Sequence, residues 1–354
     1  MTRIVVFNTA ASSGGALTIL RSLYDFVATN EECKDFEWVF VLSEKHFPET
    51  EHIKIIVNEE VKKSWLNRLK FDFFTGKKYI KKLQADIVIS LQNTIINGLD
   101  CPQILYVQQS IPFQTDKKFS FFKKEEQKLA VYQYIIGKLI KQSIKKADHV
   151  IVQANWMKNA VIQSTRIKAD SITVIPPKQP DLAKYIQKEY EPTNKFFYPA
   201  SNEIYKNHQV IYDAIDLLNE KGINDFEVIL TLNKEREHPN IKFIGSIDYE
   251  EVIKYYQETI LLFPSYVETV GLPLLEAMQI NRIVLAADTE YAREVLKNYQ
   301  NVKYFKPFES EDLMKQIMRV LEKQEIKKYN FNNGNKDNIL DVINLYTLKE
   351  KVRF

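Results

Sequence analysis

The sequence predicts two doubly wound α/β domains in tandem. Short β-branched runs alternate with helical patterns along the chain, which argues for parallel sheets covered by helices on both faces. A proline-rich stretch, Pro176-Pro177-Lys178-Gln179-Pro180, interrupts the alternation near its middle. Proline continues neither a helix nor a central strand, so this stretch suits an interdomain linker. A length of 354 residues, at roughly 150 per domain, agrees with two.

Residues 3–7 (Arg-Ile-Val-Val-Phe) read as a first β-strand rather than a signal peptide, and strands follow at 37–42, 53–57, 86–91, 103–108, 149–153 and 172–175. Helical patterns lie near 16–29, 61–83, 121–146 and 155–164. After the prolines, strands are expected at 195–199, 226–232, 241–244, 260–263, 282–286 and 302–305. Helices are expected between them near 207–221, 249–258, 271–279, 290–297 and 310–323. In such domains ligands sit beyond the carboxyl ends of the strands, so motifs are sought where strands turn into helices.

Composition narrows the function. An apolar share of 45% with 27% charged residues describes a soluble globular chain. No apolar run approaches the roughly 18 residues of a membrane span. Two cysteines, Cys33 and Cys101, make neither a disulfide framework nor a zinc cluster and fit a reducing cytoplasm. The five histidines (46, 52, 149, 208 and 238) form no metal-ligand spacing, and no nucleophile elbow or Cys-x-x-Cys is present. The net charge of +3 is a cancellation: residues 1–178 hold 26 basic and 18 acidic residues (+8), the remainder 23 and 28 (−5). Residues 62–83 hold eight basic residues and one acid, interleaved with Trp65, Phe71, Phe73, Phe74 and Tyr79. Residues 117–146 hold nine lysines and two acids, with Phe119, Phe121 and Phe122 near the start. Basic residues beside exposed aromatics suit an anionic membrane surface; the alternative is amphipathic helices whose aromatics face the core. No recognition motif accompanies the charge, so nucleic acid is not expected.

Glycine is scarce, nine residues or about 2.5% against roughly 7% on average. The Gly14-Gly15 pair follows the first strand and opens a helix, which makes an anion site of unpaired N–H groups, although the loop lacks both the dinucleotide fingerprint and the P-loop lysine. A second such turn follows strand 260–263: Glu268, Thr269, Val270, Gly271, Leu272 and Pro273 lead into a helix that carries Glu276. The N–H groups of Thr269 to Leu272 are placed to meet a phosphate, and the two carboxylates flanking them to accept hydrogen bonds from sugar hydroxyls.

This stretch is similar to the E-x7-E signature of the family-4 retaining glycosyltransferases (group 1 glycosyl transferases), with Glu268 and Glu276 at the acidic positions and Gly271-Leu272-Pro273 between them. Tyr198-Pro199-Ala200-Ser201 with Tyr205-Lys206-Asn207-His208 resembles the family's phosphate-binding loop, with Lys206 as its cation and Ser201 where an arginine is common. Arg236, Lys234 and Arg282 are candidates to replace that arginine. Leu105 to Phe113 resembles the segment after the donor-facing strand, with Gln108 where a histidine is usual, and Asp148 to Lys158 resembles the last strand and helix entry of the first domain. Thr289, Glu290 and Glu294 read as helix-start and surface residues.

The resemblance implies a GT-B fold, two Rossmann-like domains facing across a cleft. Residues 1–178 would form the acceptor-side domain, 179–335 the nucleotide-sugar domain, and 336–354 a helix crossing back to the first. It also implies a retaining hexosyltransferase of bacterial surface polysaccharide or O-antigen synthesis, needing no metal or other cofactor. A nucleotide diphosphate sugar would bind Lys206, Glu268, Thr269–Leu272 and Glu276, with Gly14 and Gly15 closing over the phosphates and Gln108 bonding donor sugar or acceptor. The acceptor would be a glycan or lipid-linked glycan, and the setting cytoplasmic, peripheral on the inner membrane face. Rival readings are a catalytically silent GT-B binding subunit, or another GT-B enzyme, an epimerase or inverting transferase.

Overall fold

A computed structural model describes residues 1–11, 14–186, 191–234, 237–331 and 338–351. The chain divides into two compact units, with one boundary between Lys178 and Gln179, inside the proline-rich stretch. Unit 1 comprises Met1–Gln114, Lys128–Lys178 and Asn335–Phe354, and unit 2 comprises Thr115–Gln127 and Gln179–Gly334. The stretch 115–127, expected in the first domain, therefore groups with the second.

In unit 1, β1 (Thr2–Asn8) leads into α1 (Gly14–Thr29), then β2 (Phe36–Leu42) and β3 (Ile53–Val57). A broken helical segment follows: α2 (Trp65–Lys70), a π-helical turn (Phe71–Thr75) and α3 (Gly76–Lys82). After β4 (Ile87–Ser90) and β5 (Gln103–Tyr106) comes α4 (Gln127–Ala130), a second π-helical turn (Val131–Ile136) and α5 (Gly137–Lys146). The unit's sheet is completed by β6 (His149–Val152), α6 (Asn155–Thr165) and β7 (Ile172–Val174). Two expectations change here. The helix expected over 61–83 is interrupted, because Ser64 caps a new start at Trp65 and the ladder then widens into the π turn. The helix expected from 121 begins at Gln127.

Unit 2 contains β8 (Lys195–Tyr198), α7 (His208–Glu220), β9 (Glu227–Leu230) and β10 (Ile241–Phe243). It continues through α8 (Tyr249–Glu258), β11 (Ile260–Phe263), α9 (Leu272–Gln279), β12 (Val284–Ala287), α10 (Glu290–Val295), β13 (Val302–Phe305) and α11 (Ser310–Glu322). The last helix, α12 (Ile339–Lys351), belongs to unit 1, where Ile339, Leu340, Val342 and Ile343 join the core over β1, β2 and β4.

Both sheets are wholly parallel. The strand orders are β3-β2-β1-β4-β5-β6-β7 and β10-β9-β8-β11-β12-β13. Strands buried on both faces read as continuous apolar runs, as in Ile4 to Phe7 and Ile260 to Phe263, all at most 1% exposed. In each sheet the chain reverses its winding direction once, between β1 and β4 and between β8 and β11. At such a switch point the two following loops part and leave a crevice, the place where doubly wound sheets bind ligands. Each unit therefore offers one built-in site.

Candidate functional site

The switch point of unit 2 brings together two loops, one after β8 and one after β11. The first ends in a short 3-10 turn (Ile204–Lys206) followed by Asn207, whose left-handed backbone (φ 60°) starts α7. The Asn207 amide donates to the carbonyls of Pro264 (3.3 Å) and Pro307 (2.6 Å), tying this loop to its neighbours. Tyr198, fully buried at the end of β8, donates its hydroxyl to the Lys206 carbonyl at 2.9 Å. The second loop is pinned from both sides: Tyr266 N–H donates to the Tyr205 carbonyl at 3.1 Å, and the Tyr291 hydroxyl donates to the Ser265 carbonyl at 2.5 Å.

These anchors fix one ion pair. Lys206 Nζ lies 2.5 Å from Glu268 Oε1, each side chain 18% exposed. The Ser265 hydroxyl donates to the same oxygen at 2.8 Å. The negative charge of Glu268 pushes the buried hydroxyls of Tyr198 and Tyr291 further up, beyond what burial alone does. A lysine ammonium carries three donors, so pairing with Glu268 leaves two for an incoming anion.

Beyond Glu268 the chain turns at Gly271, the N-cap of α9, whose φ of 75° favours glycine. A Cβ there would also press on the Tyr291 ring at 3.2 Å. Leu272 and Pro273 open the helix, proline being pre-shaped for the first turn. The first N–H groups of a helix have no partner within it and carry the positive end of its dipole. The turn and Lys206 thus supply a cation and a donor row within one loop cluster.

Glu276 lies in the second turn of α9 and is only 7% exposed. The hydroxyls of Tyr249 and Tyr256, both on α8, donate to its two oxygens at 3.0 Å each. Burial raises its carboxyl above the usual range, and the two tyrosine hydrogen bonds draw it back. The sequence shows this carboxylate flanking the helix start; the tyrosines that orient it carry no spacing signal and were missed. Ser265 and Tyr291 carry no such signal either, and Tyr198, though part of the stretch that resembles the phosphate-binding loop, gives no hint of its hydrogen bond to the Lys206 carbonyl.

The proposed replacements for the arginine fare differently. Lys234 follows β9 at the same sheet edge, but it is exposed and pairs with Glu237 at 2.7 Å. Arg282 lies two residues before β12, hence at the opposite edge from the loop after parallel β11. It is 4% exposed there and its carbonyl accepts from the Tyr299 hydroxyl. That placement removes Arg282 from the set. Arg236 lies outside the described residues. Ser201 follows β8 and is exposed.

The remaining expected residues belong to unit 1. Gly14 and Gly15 open α1, and a Cβ on Gly15 would meet nothing within 4 Å, so that position is open rather than crowded. Gln108 follows β5; its N–H donates to Asn93 Oδ1 at 2.6 Å and its side-chain amide to the Leu91 carbonyl at 3.1 Å, which fixes it to the loop after β4. Thr289 caps α10, accepting from Ala292 N–H at 3.4 Å, with Glu290 in the first turn.

Comparison with known proteins bears on this geometry. The sequence profile of the glycosyl transferases group 1 matches residues 181–337, which include the β8 and β11 loops and α9. The O-antigen chain mannosyltransferase RfbU of Salmonella typhimurium is 28% identical over 171 residues, 45% of this chain and 48% of that protein. The N,N'-diacetylbacillosaminyl-diphospho-undecaprenol alpha-1,3-N-acetylgalactosaminyltransferase of Campylobacter jejuni is 23% identical over 228 residues, 59% and 60% of the two chains. The chain thus matches about half the length of these curated relatives. Among solved structures, WaaG, a glycosyltransferase involved in lipopolysaccharide biosynthesis, superposes with a TM-score of 0.64 at 14% identity, covering 90% of each chain.

Proposed function

We propose that this chain, whose residues 181–337 match the group 1 glycosyl transferases and whose fold is GT-B, transfers a hexose-type sugar, with retention, from a nucleoside diphosphate donor to a hydroxyl of a glycan or lipid-linked glycan in bacterial surface polysaccharide synthesis. The observation that carries this reading is the Lys206–Glu268 pair at the switch point, beside the glycine-led start of α9. The matched relatives add the setting, since one is named for O-antigen mannosyl transfer and the other for transfer to a diphospho-undecaprenol.

In this reading the diphosphate lies against the N–H groups of Thr269 to Leu272 and takes the remaining donors of Lys206. Glu268 holds the lysine and accepts from a sugar hydroxyl; Glu276, oriented by its tyrosines, accepts from the ribose. The bond between the sugar anomeric carbon and the diphosphate oxygen breaks, and negative charge grows on that oxygen. Lys206 and the helix start meet this charge, which makes the reading metal-independent: fixed positive groups aimed at developing charge stabilise the transition state. The acceptor oxygen bonds to the anomeric carbon from the departing group's side, and its proton passes to the leaving phosphate. The products are the glycoside with unchanged anomeric configuration and a nucleoside diphosphate.

The acceptor side of this reading includes an anionic membrane surface. In unit 1, Leu66 and Phe74 are 76% and 80% exposed, with Trp65 and Phe73 half-exposed, amid exposed lysines 62, 63, 70, 77, 78, 81 and 82. The rings thus divide: Phe71 and Tyr79 pack inward against the core while the others face out. No described helix is long and apolar enough to cross a membrane.

The test is turnover of a panel of nucleoside diphosphate sugars by the full chain with a short glycan acceptor, the product's anomeric configuration read by proton NMR. Retained configuration is the expected result; an inverted product contradicts the mechanism.

A further inference from the structure

After β5 the chain leaves unit 1 at Gln114, contributes residues 115–127 to unit 2 and returns to unit 1 at Lys128. Ordering such a detour costs conformational entropy, which contacts within unit 2 have to offset. Those contacts fall on the loop that carries Glu268. Phe119, 3% exposed, has its ring centroid 6.4 Å from that of Tyr266, which is 2% exposed. Lys117 Nζ lies 5.8 Å from the Tyr266 centroid and 5.9 Å from that of Phe119, within cation–π reach of both rings. Phe308 adds a third neighbour, its centroid 5.0 Å from that of Tyr266.

The segment holds its own shape. Glu126 accepts from Ser120 N–H at 2.8 Å and pairs through its other oxygen with Lys117 at 3.0 Å. Burial raises this carboxyl, but the bonds from Ser120 and Lys117 outweigh it and hold the group below the usual range. Of residues 115–127 only Phe119 and Glu126 are buried. One packs on the loop, and the other fixes the lysine that lies over the same ring.

Tyr266 is the junction through which this bracing reaches the ion pair. Its N–H donates to the carbonyl of Tyr205, the residue before Lys206, at 3.1 Å. Ser265, on its other side in the chain, donates its hydroxyl to Glu268 Oε1 at 2.8 Å. The Tyr266 hydroxyl has no hydrogen-bond partner among the described residues, so packing and the Lys117 charge place the ring. Lys206 and Glu268 come from two different loops, and their pairing is only as fixed as the backbones that carry them. We infer that Phe119 and Lys117 are positioning residues of the donor site: they hold the Tyr266 ring, and through it the loop that sets Glu268 against Lys206. They act through Tyr266 rather than on the donor. The catalytic consequence rests on the donor reading above, whereas the bracing of the pair does not.

The experiment is acetylation of the full chain with N-hydroxysuccinimidyl acetate, the rate at Lys206 read by mass spectrometry against exposed Lys254 in the same sample. A loosened pair frees the Lys206 amine more often. Phe119→Ala is expected to raise the Lys206 rate roughly threefold or more, by more frequent local opening. Phe119→Leu, which refills most of the apolar volume, is expected to return it close to the wild-type rate. Both are measured where melting curves show the chain folded. In a Glu268→Ala background, where the lysine has already lost its partner, Phe119→Ala is expected to add nothing. A further rise there, or an unchanged Lys206 rate in the folded single variants, overturns the inference. Should Phe119→Ala fail to fold, Lys117→Ala, at a side chain 28% exposed, serves in the same comparison. Turnover of the accepted nucleoside diphosphate sugar is expected to fall about tenfold in Phe119→Ala and to recover in Phe119→Leu. Faster labelling with wild-type turnover overturns the catalytic consequence. A wild type that turns over no such sugar overturns the donor reading, and the labelling rates then decide the bracing by themselves.

Discussion

At the scale of single residues, the loop proposed to hold the donor diphosphate runs into a buried histidine at the start of α7. His208, the first residue of α7, is 6% exposed, and its ring sits 5.1 Å from that of Tyr198. Burial, with the nearby Lys206 charge, lowers its pKa to about 4 from an ordinary 6.5. Between those values the unfolded chain binds a proton that the folded chain refuses, so stability rises with pH through this window and is lost as pH falls from 6.5 toward 4. The loss attributable to His208 is up to about 3 kcal/mol. Asp72 acts oppositely: burial lifts its carboxyl to about 6, so the folded chain takes its proton first as pH falls. The comparison that isolates His208 is therefore wild type against His208→Gln. The wild-type melting temperature is expected to fall more steeply between pH 6.5 and 4; parallel curves contradict this account of the buried ring.

At the scale of elements, the two π turns show where glycine is spent. Each ends on one, Gly76 and Gly137, whose N–H groups donate five residues back to Phe71 and Tyr132. A Cβ at Gly76 would lie 2.7 Å from both the Phe71 carbonyl and Ile96, and one at Gly137 would lie 2.8 Å from Pro112. Overpacking of this kind costs about 1–3 kcal/mol. Gly76→Ala is expected to lower the melting temperature of unit 1 by several degrees and to leave nucleotide-sugar binding by unit 2 intact; an unchanged melting temperature removes the packing argument. These turns also explain what the sequence leaves hidden. The strands are legible because both faces are buried and β-branched runs result, as in Ile4 to Val6 or Ile87 to Ile89. Periodicity places apolar residues on a helix face but does not register one extra residue per turn, so 61–83 reads as unbroken. Residues 121–126 read as the start of a lysine-rich helix, yet the stretch before Gln127 is not helical: Phe119 packs near Tyr266 and Lys117 pairs with Glu126, contacts within unit 2 that no local pattern announces. At the loops proposed to bind the donor, Glu268 and Gly271 are legible because they follow a strand at a turn, and Lys206 through the family resemblance alone. Tyr249, Tyr256 and Tyr291 are not, since they reach the loops only through tertiary packing.

At the scale of the whole molecule, the near-neutral total conceals a basic half of +8 and an acidic half of −5. Each basic side chain near an anionic surface contributes about 1 kcal/mol, screened by salt. The account predicts binding to phosphatidylglycerol-containing vesicles that weakens with salt and falls at least tenfold when Lys77, Lys78, Lys81 and Lys82 are all changed to glutamine. Equal binding to neutral vesicles contradicts the electrostatic part. The central claim concerns the other half: that the Lys206–Glu268 pair on unit 2 activates a nucleoside diphosphate sugar. Removing one preorganised charge-stabilising group costs about 10²–10³ in turnover. The most direct measurement is turnover of the accepted donor by wild type, Lys206→Ala and Glu268→Ala, with folding checked by melting temperature. Losses of that size in both folded variants are the predicted result, and wild-type turnover in both would contradict the account.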